Sequence, residues 1–359
     1  MRNMQKIFMD DQQRKFISEV SFMYGLIKED SLAYSEALAY PTIGIILLSG
    51  ISDKSNRIPL HTSAGIAYTG LDSEIYTDTI VYLNKGRQEG FLDGNPVEYS
   101  DSKRSPFTII NNHKNSILGN LHLSSEKINV SFRSENRNIL SGSSDAGAAA
   151  IGADIVHLSG GVDDTVKFEN ELRSISESVG RSYLGGLTLT WSTGKECSTE
   201  VLLPPESFKD YIILGCNFRD QRNPSDIIHE SAVRHPAYAE RVKRTGERAV
   251  SLKKYAEEKD IKSIFELSMK DTDDYHALLE QVNVRVINAR MRKLINIVRE
   301  LRKETWMTYI VTGGSNVFVP IGKKDLKTVS ESLGYLCDSL IPMKVAGKAH
   351  VIDSSIISN

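Results

Sequence analysis

The run Asn138-Ile139-Leu140-Ser141-Gly142-Ser143-Ser144-Asp145-Ala146-Gly147-Ala148-Ala149-Ala150 constrains this chain more than any other segment. It packs glycine, hydroxyls and small residues into a turn that runs straight into a helix. Two readings fit it. As an anion cradle, Gly142 lets the backbone turn tightly, Ser143 and Ser144 offer hydroxyls, and the first helical turn presents unpaired N–H groups with a favourable dipole. As an ordinary capped helix, Ser144 or Asp145 is the N-cap and the alanines serve close packing. The spacing matches neither G-x-x-x-x-G-K-[ST] nor G-x-G-x-x-G.

Periodicity supplies the other elements. Apolar and β-branched runs bounded by turn residues predict strands over Thr42 to Leu48, Ser63 to Tyr68, Ile75 to Leu83 and Ile128 to Phe132. Helices are predicted from Ala146 to Leu158 and from Val166 to Val179, where Phe168, Leu172, Ile175 and Val179 share one face. The strand Leu187 to Trp191 follows. Pro204-Pro205 then breaks the pattern, predicting a domain at 37–205 and another at 206–359, with 1–36 as an extension of unassigned role. In the second domain Tyr211 to Phe218 reads as a strand and Ile287, Met291, Leu294, Val298 and Leu301 as a long amphipathic stripe. Tyr309 to Val311, Val317 to Val319 and Lys344 to Ile352 read as late strands. Strands and helices mixed without strict alternation predict an α+β fold.

Composition narrows the partners. A net charge of −2 with interleaved signs leaves no electrostatic footprint for nucleic acid or an anionic membrane. Residues 1–36 hold no apolar run long enough for a signal peptide or a membrane span. Cys197, Cys216 and Cys337 follow no metal-ligand spacing, so free thiols in a reducing, cytoplasmic setting are expected.

Several polar residues have both a bland and a functional reading. Glu177 and Arg181 stand four apart on the predicted helix, opposite its apolar stripe, where periodicity makes them a solvated ion pair worth roughly a few tenths of a kcal/mol. Thr312 heads Thr312-Gly313-Gly314-Ser315-Asn316, a glycine turn between strands. Leu47 reads as a core leucine. Asp271, Asp273 and Asp274 ahead of Ala277 predict a helix N-terminus with acids favoured by the dipole, and His276 gains no catalytic role from that context. Arg222, Asn223 and Ser225 form a polar loop after a strand, placed to meet a substrate or phosphates.

Leu140 to Gly147 resembles the phosphate-binding loop of the GHMP kinase superfamily, and four ordered segments resemble its diphosphomevalonate decarboxylase branch. Ala39-Tyr40-Pro41-Thr42-Ile43-Gly44-Ile45-Ile46-Leu47-Leu48 matches that branch's first strand and Ser176-Glu177-Ser178-Val179-Gly180-Arg181-Ser182 its substrate helix. Asp271-Thr272-Asp273-Asp274-Tyr275-His276-Ala277 matches its D-S-x-x-x-H-A segment, and Tyr309-Ile310-Val311-Thr312-Gly313-Gly314-Ser315-Asn316 its late glycine turn. The resemblance runs from about Tyr40 to the end. Two departures stand out: the decarboxylases carry a lysine where this chain has Leu47 and an aspartate where it has Thr312. In that respect it is similar to the archaeal mevalonate 3-kinases, which stop after phosphorylation.

The resemblance implies a GHMP kinase fold, with a ribosomal protein S5 domain 2-like N-terminal domain and a ferredoxin-like C-terminal domain. It implies transfer of the γ-phosphoryl of ATP to the 3-hydroxyl of mevalonate, with Mg2+, in a homodimer. Gly142, Ser143, Ser144, Asp145, Ala146 and Gly147 would hold the nucleotide. Leu47, Ser141, Glu177, Arg181, Ser225 and Thr312 would meet mevalonate, with Glu177, Arg181 and Thr312 as the catalytic set and no metal ligand singled out. A decarboxylase of a phosphorylated mevalonate and a non-catalytic protein of the same fold are the alternatives.

Overall fold

The computed structural model describes residues 23–98, 104–123, 127–220 and 224–356. Expectations that fall on residues 1–22 and on Arg222 and Asn223 lie outside them. In chain order the strands are β1 (Ala33–Ala39), β2 (Thr42–Ile46), β3 (Ser63–Gly70), β4 (Tyr76–Asn84), β5 (Gly90–Leu92), β6 (Asn95–Pro96) and β7 (Asn129–Arg137). They continue as β8 (Leu187–Ser192), β9 (Cys197–Leu203), β10 (Tyr211–Asn217), β11 (Asn316–Gly322), β12 (Ser339–Val345) and β13 (His350–Ile356). These build two sheets, ordered β13-β1-β4-β7-β5-β6 and β11-β10-β12-β3-β8-β9, with β2 beside β3 in the second.

Helix Ser143–Leu158 lies across the first sheet, against β1 and β4. Ala146, Ala148, Ala149 and Ala150 are all buried, because small side chains let the helix approach its neighbours on every face. At Gly152 a Cβ would stand 2.6 Å from Leu172 Cδ1, so a larger residue fits only if that side chain shifts. The second sheet is covered on both faces. Ala249, Leu252, Ile264 and Phe265 pack with Ile213 and Phe318 on one side. On the other, Met291, Leu294 and Val298 of helix Ala289–Leu301 pack with Ile212, Leu214 and Val319. The predicted stripe therefore faces a sheet, and alternate residues of β10 and β11 serve opposite cores.

Four expectations need correction. The helix predicted over Val166 to Val179 is two helices, Thr165–Leu172 and Val179–Leu184. Arg173 Nη1 donates to the carbonyl of Glu177 at 2.6 Å, and Asp145 collects the hydroxyls of Ser176 and Ser178. Side chains thus satisfy the intervening turn in place of a helical ladder. Tyr309 to Val311 forms no strand, only an isolated bridge at Ile310. Lys344 to Ile352 spans the end of β12 and the start of β13, which belong to different sheets. Asp271, Asp273 and Asp274 lie inside helix Ile261–Gln281, not at its start; arginines of helix Tyr238–Glu257 neutralise Asp271 and Asp274 there, and Arg299 of helix Ala289–Leu301 pairs with Asp273.

The chain also crosses the sequence division at 205. β12 pairs with β3, and β13 returns from the far end to pair with β1, Ala33 opposite Ile356. Residues 33–36, placed by the sequence in an extension, are strand residues inside the first sheet. Residues 23–30 are helical, and the buried Tyr24 donates its hydroxyl to the carbonyls of Asp78 and Arg133.

Candidate active site

The end of β2, the head of helix Ser143–Leu158, the 176–178 turn, the head of helix Ser225–Val233 and the glycine turn at 312–314 surround one cavity of about 260 Å³. Gly142 makes the first corner. Its φ of 79° is left-handed, and a Cβ there would stand 2.4 Å from the backbone nitrogen of Thr42, so only glycine fits without strain. The helix then starts at Ser143, with the Ser143 and Ser144 side chains exposed at its head and Gly142 in the N-cap position expected of Ser144 or Asp145. Asp145 instead turns inward, accepting hydroxyls from Thr42, from Ser176 at 2.5 Å and from Ser178 at 2.8 Å. It binds the helix head to β2 and to the 176–178 turn. Ala146 is packed in the core and Gly147 has open space around it, so Gly142 to Asp145 are the part of the loop that lines the cavity.

Glu177 and Arg181 are not the solvated pair that periodicity gives. Both are buried, and each faces different company. Glu177 Oε2 accepts Arg57 Nε at 2.9 Å, and its Oε1 lies 3.0 Å from His229 Nε2. Gly50 N–H donates to His229 Nδ1, which leaves the ring proton on Nε2 to reach Glu177. Burial pushes the Glu177 carboxyl up, but His229, Arg57 and Arg104 together outweigh it and hold it well below the usual carboxylate range. Glu177 therefore stays ionised.

Arg181 has less. Its Nη2 donates to Ser63 Oγ at 3.0 Å, while its Nε has no partner among the described residues. The stem lies over Gly65, where a Cβ would come within 2.5 Å of Arg181 Cδ. Burial lowers its pKa, opposed by the more distant charges of Asp145 and Glu177. A guanidinium buried at a cavity wall with no carboxylate of the described residues bound to it is short of the anion that its fork geometry suits.

Leu47 follows β2 directly and is 5% exposed, forming an apolar wall. Opposing polarity comes from Ser141 Oγ, which shares a hydrogen bond of 3.1 Å with Thr312 Oγ1. Ser225 brings its hydroxyl to Arg104 Nη2 at 2.8 Å. One helix supports both Leu47 and the turn of Thr312: Asp271 accepts the Leu47 N–H and His276 Nε2 donates to the Val311 carbonyl.

Residues 39–201 match the diphosphomevalonate decarboxylase-like N-terminal domain, and residues 223–327 match the mevalonate-3-kinase C-terminal domain. The mevalonate-3-kinase of Picrophilus torridus is 48% identical over 88% of this chain and 97% of its own. The chain belongs to the mevalonate 3-kinase family. A crystal structure of the mevalonate-3-kinase from Thermoplasma acidophilum, bound to mevalonate 3-phosphate and ADP, superposes with a TM-score of 0.84 at 39% identity, covering 90% of this chain and all of that one. Mevalonate diphosphate decarboxylase from Staphylococcus aureus shares the fold, with a TM-score of 0.74 at 18% identity over 89% of this chain and 98% of its own. The GHMP kinase fold and its α+β class are thus established.

In this mevalonate 3-kinase fold, Leu47, Ser141, Gly142, Ser143, Ser144, Asp145, Glu177, Arg181, Ser225 and Thr312 all line one cavity. Sequence reasoning missed Arg57, Arg104, His229 and Tyr275. Arg57 and Arg104 have φ of 54° and 62°, in turns that no periodicity marks, and a lone arginine in a polar loop gives no signal. His229 sits on helix Ser225–Val233, one turn after Ser225, and only the fold brings it to Glu177. Tyr275, within the Asp271 to Ala277 segment, lines the cavity with Arg241 stacked 5.1 Å from its ring centroid.

Proposed function

We propose that the chain transfers the γ-phosphoryl group of ATP to the tertiary 3-hydroxyl of mevalonate, giving mevalonate 3-phosphate and ADP without loss of carbon dioxide. The observation that carries this reading is Arg181, a buried guanidinium without a bound carboxylate, in the same cavity as a glycine-turned helix head. A carboxylate completes the first and a triphosphate suits the second. The kinase activity of the family and the ADP bound to the Thermoplasma acidophilum relative support the same assignment.

Phosphoryl transfer through a loose transition state depends on positioning and charge stabilisation more than on a strong base. Arg181 fixes the substrate carboxylate. Glu177, held ionised and aimed by Arg57 and His229, keeps lone pairs free to accept a substrate hydroxyl. The Ser141 and Thr312 hydroxyls face the reacting oxygen without adding charge. Gly142 to Asp145 hold the phosphates through backbone N–H groups and the Ser143 and Ser144 hydroxyls. Magnesium binds mainly through substrate phosphates and water, and those serine oxygens are what the helix head offers it. It would neutralise charge on the triphosphate. Leu47 and Thr312 leave the pocket without the lysine and aspartate that the decarboxylases resembled here carry, so the reaction stops at the phosphate.

No helix among the described residues is long and apolar enough to cross a membrane. The reading includes a cytoplasmic homodimer, and light scattering on the purified chain tests the assembly. Incubation with ATP, Mg2+ and mevalonate, followed by phosphorus NMR and a parallel assay for carbon dioxide, tests the reaction. Mevalonate 3-phosphate with no gas is expected; carbon dioxide stoichiometric with ADP makes the chain a decarboxylase, and absence of turnover makes it a binding protein.

A further inference from the structure

Four charged groups, two lining the cavity and two behind them, form one closed cluster. Arg57 Nη2 donates to Asp226 Oδ1 at 2.7 Å and pairs with Glu177 Oε2 at 2.9 Å. Arg104 Nη2 donates to the same Asp226 oxygen at 2.9 Å, with Glu177 Oε2 at 3.7 Å. Two guanidinium groups and two carboxylates cancel, and His229 joins as a neutral donor through Nε2. Among the described residues, the arginines lining the cavity are Arg104 and Arg181. Arg181 has no bound carboxylate. Arg104 is taken, and Asp226, standing behind it, is the group that holds it together with Arg57.

We propose that Asp226 is the specificity-determining residue that restricts the site to mevalonate with a free 5-hydroxyl, because by occupying Arg57 and Arg104 it leaves no free cation for a second anionic group on the substrate. The proposal rests on the kinase reading above. A phosphate monoester carries close to two negative charges near neutrality. Entering beside Arg104, it meets a guanidinium already matched by Asp226 and is repelled by Glu177 and Asp226 together. A site rejects a competitor by such unmatched like charges as much as by attraction to its own ligand. A hydroxyl in the same place meets no repulsion and finds the Ser225 and Glu177 oxygens as partners. Removing the Asp226 charge leaves the cluster with one net positive charge. It also removes a negative charge from the first turn of helix Ser225–Val233, whose N–H groups favour a phosphate.

The test compares kcat/KM on mevalonate and on mevalonate 5-phosphate for the unaltered chain, Asp226→Asn, and Asp226→Asn combined with Arg104→Gln, with thermal melting of each. Asp226→Asn is expected to raise the ratio of 5-phosphate to mevalonate activity about tenfold or more, and the second change to abolish that gain. An unchanged ratio overturns the proposal, as does a gain that persists without Arg104. If Asp226→Asn does not fold, Asp226→Ser is carried through the same comparison. The unaltered chain gives an independent check: mevalonate 5-phosphate must compete poorly against mevalonate, and equal use of both overturns the proposal without any variant. Failure of the unaltered chain to phosphorylate mevalonate sinks the kinase reading instead.

Discussion

Asp271 Oδ2 accepts the backbone N–H of Leu47 at 2.7 Å, and the same carboxylate is gripped by Arg241 and Arg248. The apolar wall residue at the end of β2 is thus fixed through its backbone, independently of its side chain. Position 47 can vary in chemistry while its location stays constant.

Replacing that anchor is expected to destabilise the fold. Asp271→Ala leaves Arg241, fully buried, with Asp274 as its remaining carboxylate. Breaking a buried pair from one side typically costs about 3 to 5 kcal/mol, and the retained Asp274 places this variant near the lower end. Urea midpoints measure it; a loss under about 1 kcal/mol would show that the cluster is not holding the helices together.

Arg181→Ala should weaken mevalonate binding and turnover while leaving ATP affinity nearly unchanged. The lost charge-assisted contact is worth about 1.5 to 3 kcal/mol, roughly ten- to more than a hundredfold in affinity. Titration calorimetry with each ligand separately reads it. Equal weakening of both ligands points to a structural role for the arginine.

The two glycines of the loop should behave oppositely. Gly142→Ala forces a side chain into a left-handed conformation 2.4 Å from Thr42, costing on the order of 1 to 3 kcal/mol and lowering ATP affinity. Gly147→Ala enters open space within a helix, where it stabilises by up to about 1 kcal/mol. Melting curves and ATP titrations of both variants decide; nucleotide affinity lost only at 147 would relocate the phosphate site.

Stability should fall with acid above the range of ordinary carboxylates. Burial holds His61 and His276 down at about 4, with Arg241 adding to the effect. Unfolded, each ring titrates near 6.5, so between these values the unfolded chain binds more protons. Stability from this source is complete above about pH 6.5 and declines as pH drops toward 4, by up to about 1.4 kcal/mol per pH unit for each ring. Urea midpoints from pH 7 to 4 should therefore slope downward, less steeply in His61→Gln and in His276→Gln. Identical slopes in all three proteins contradict the assignment.

Leu47→Lys alone should fold poorly, since a buried unpaired ammonium costs on the order of several kcal/mol. Adding Thr312→Asp supplies a partner across the cavity and should recover part of that loss. Melting temperatures rank the single and double variants, and a double variant no better than the single one rules out mutual neutralisation.

How much of this was legible beforehand follows from the physics of each signal. The alanine helix, the stripe of helix Ala289–Leu301 and the strands β2, β3, β8, β10 and β11 of the second sheet were readable because periodicity encodes a buried face, whereas β9 went unread and β12 was merged with β13. The 174–178 break was not, because it depends on Asp145 reaching that turn from another helix and on the neighbouring Arg173 side chain folding over it. Arg181 emerged from family likeness, and its burial reversed what spacing alone implied. Arg57, Arg104 and Asp226 meet only in three dimensions, and pairing across such sequence distances leaves no local trace.

The return of β13 to β1 bears on how the molecule is made. During synthesis the first sheet stays open along β1 until residues 350–356 have emerged, and the second sheet waits for β12, residues 339–345, which joins β10 to β3. Joining such distant segments adds little entropic penalty at equilibrium, since loop closure grows only logarithmically with length, but it delays completion. A cut in the 346–349 linker would turn β13 into a separate peptide whose rebinding reports, in real time, when the rest of the sheet is ready to receive it.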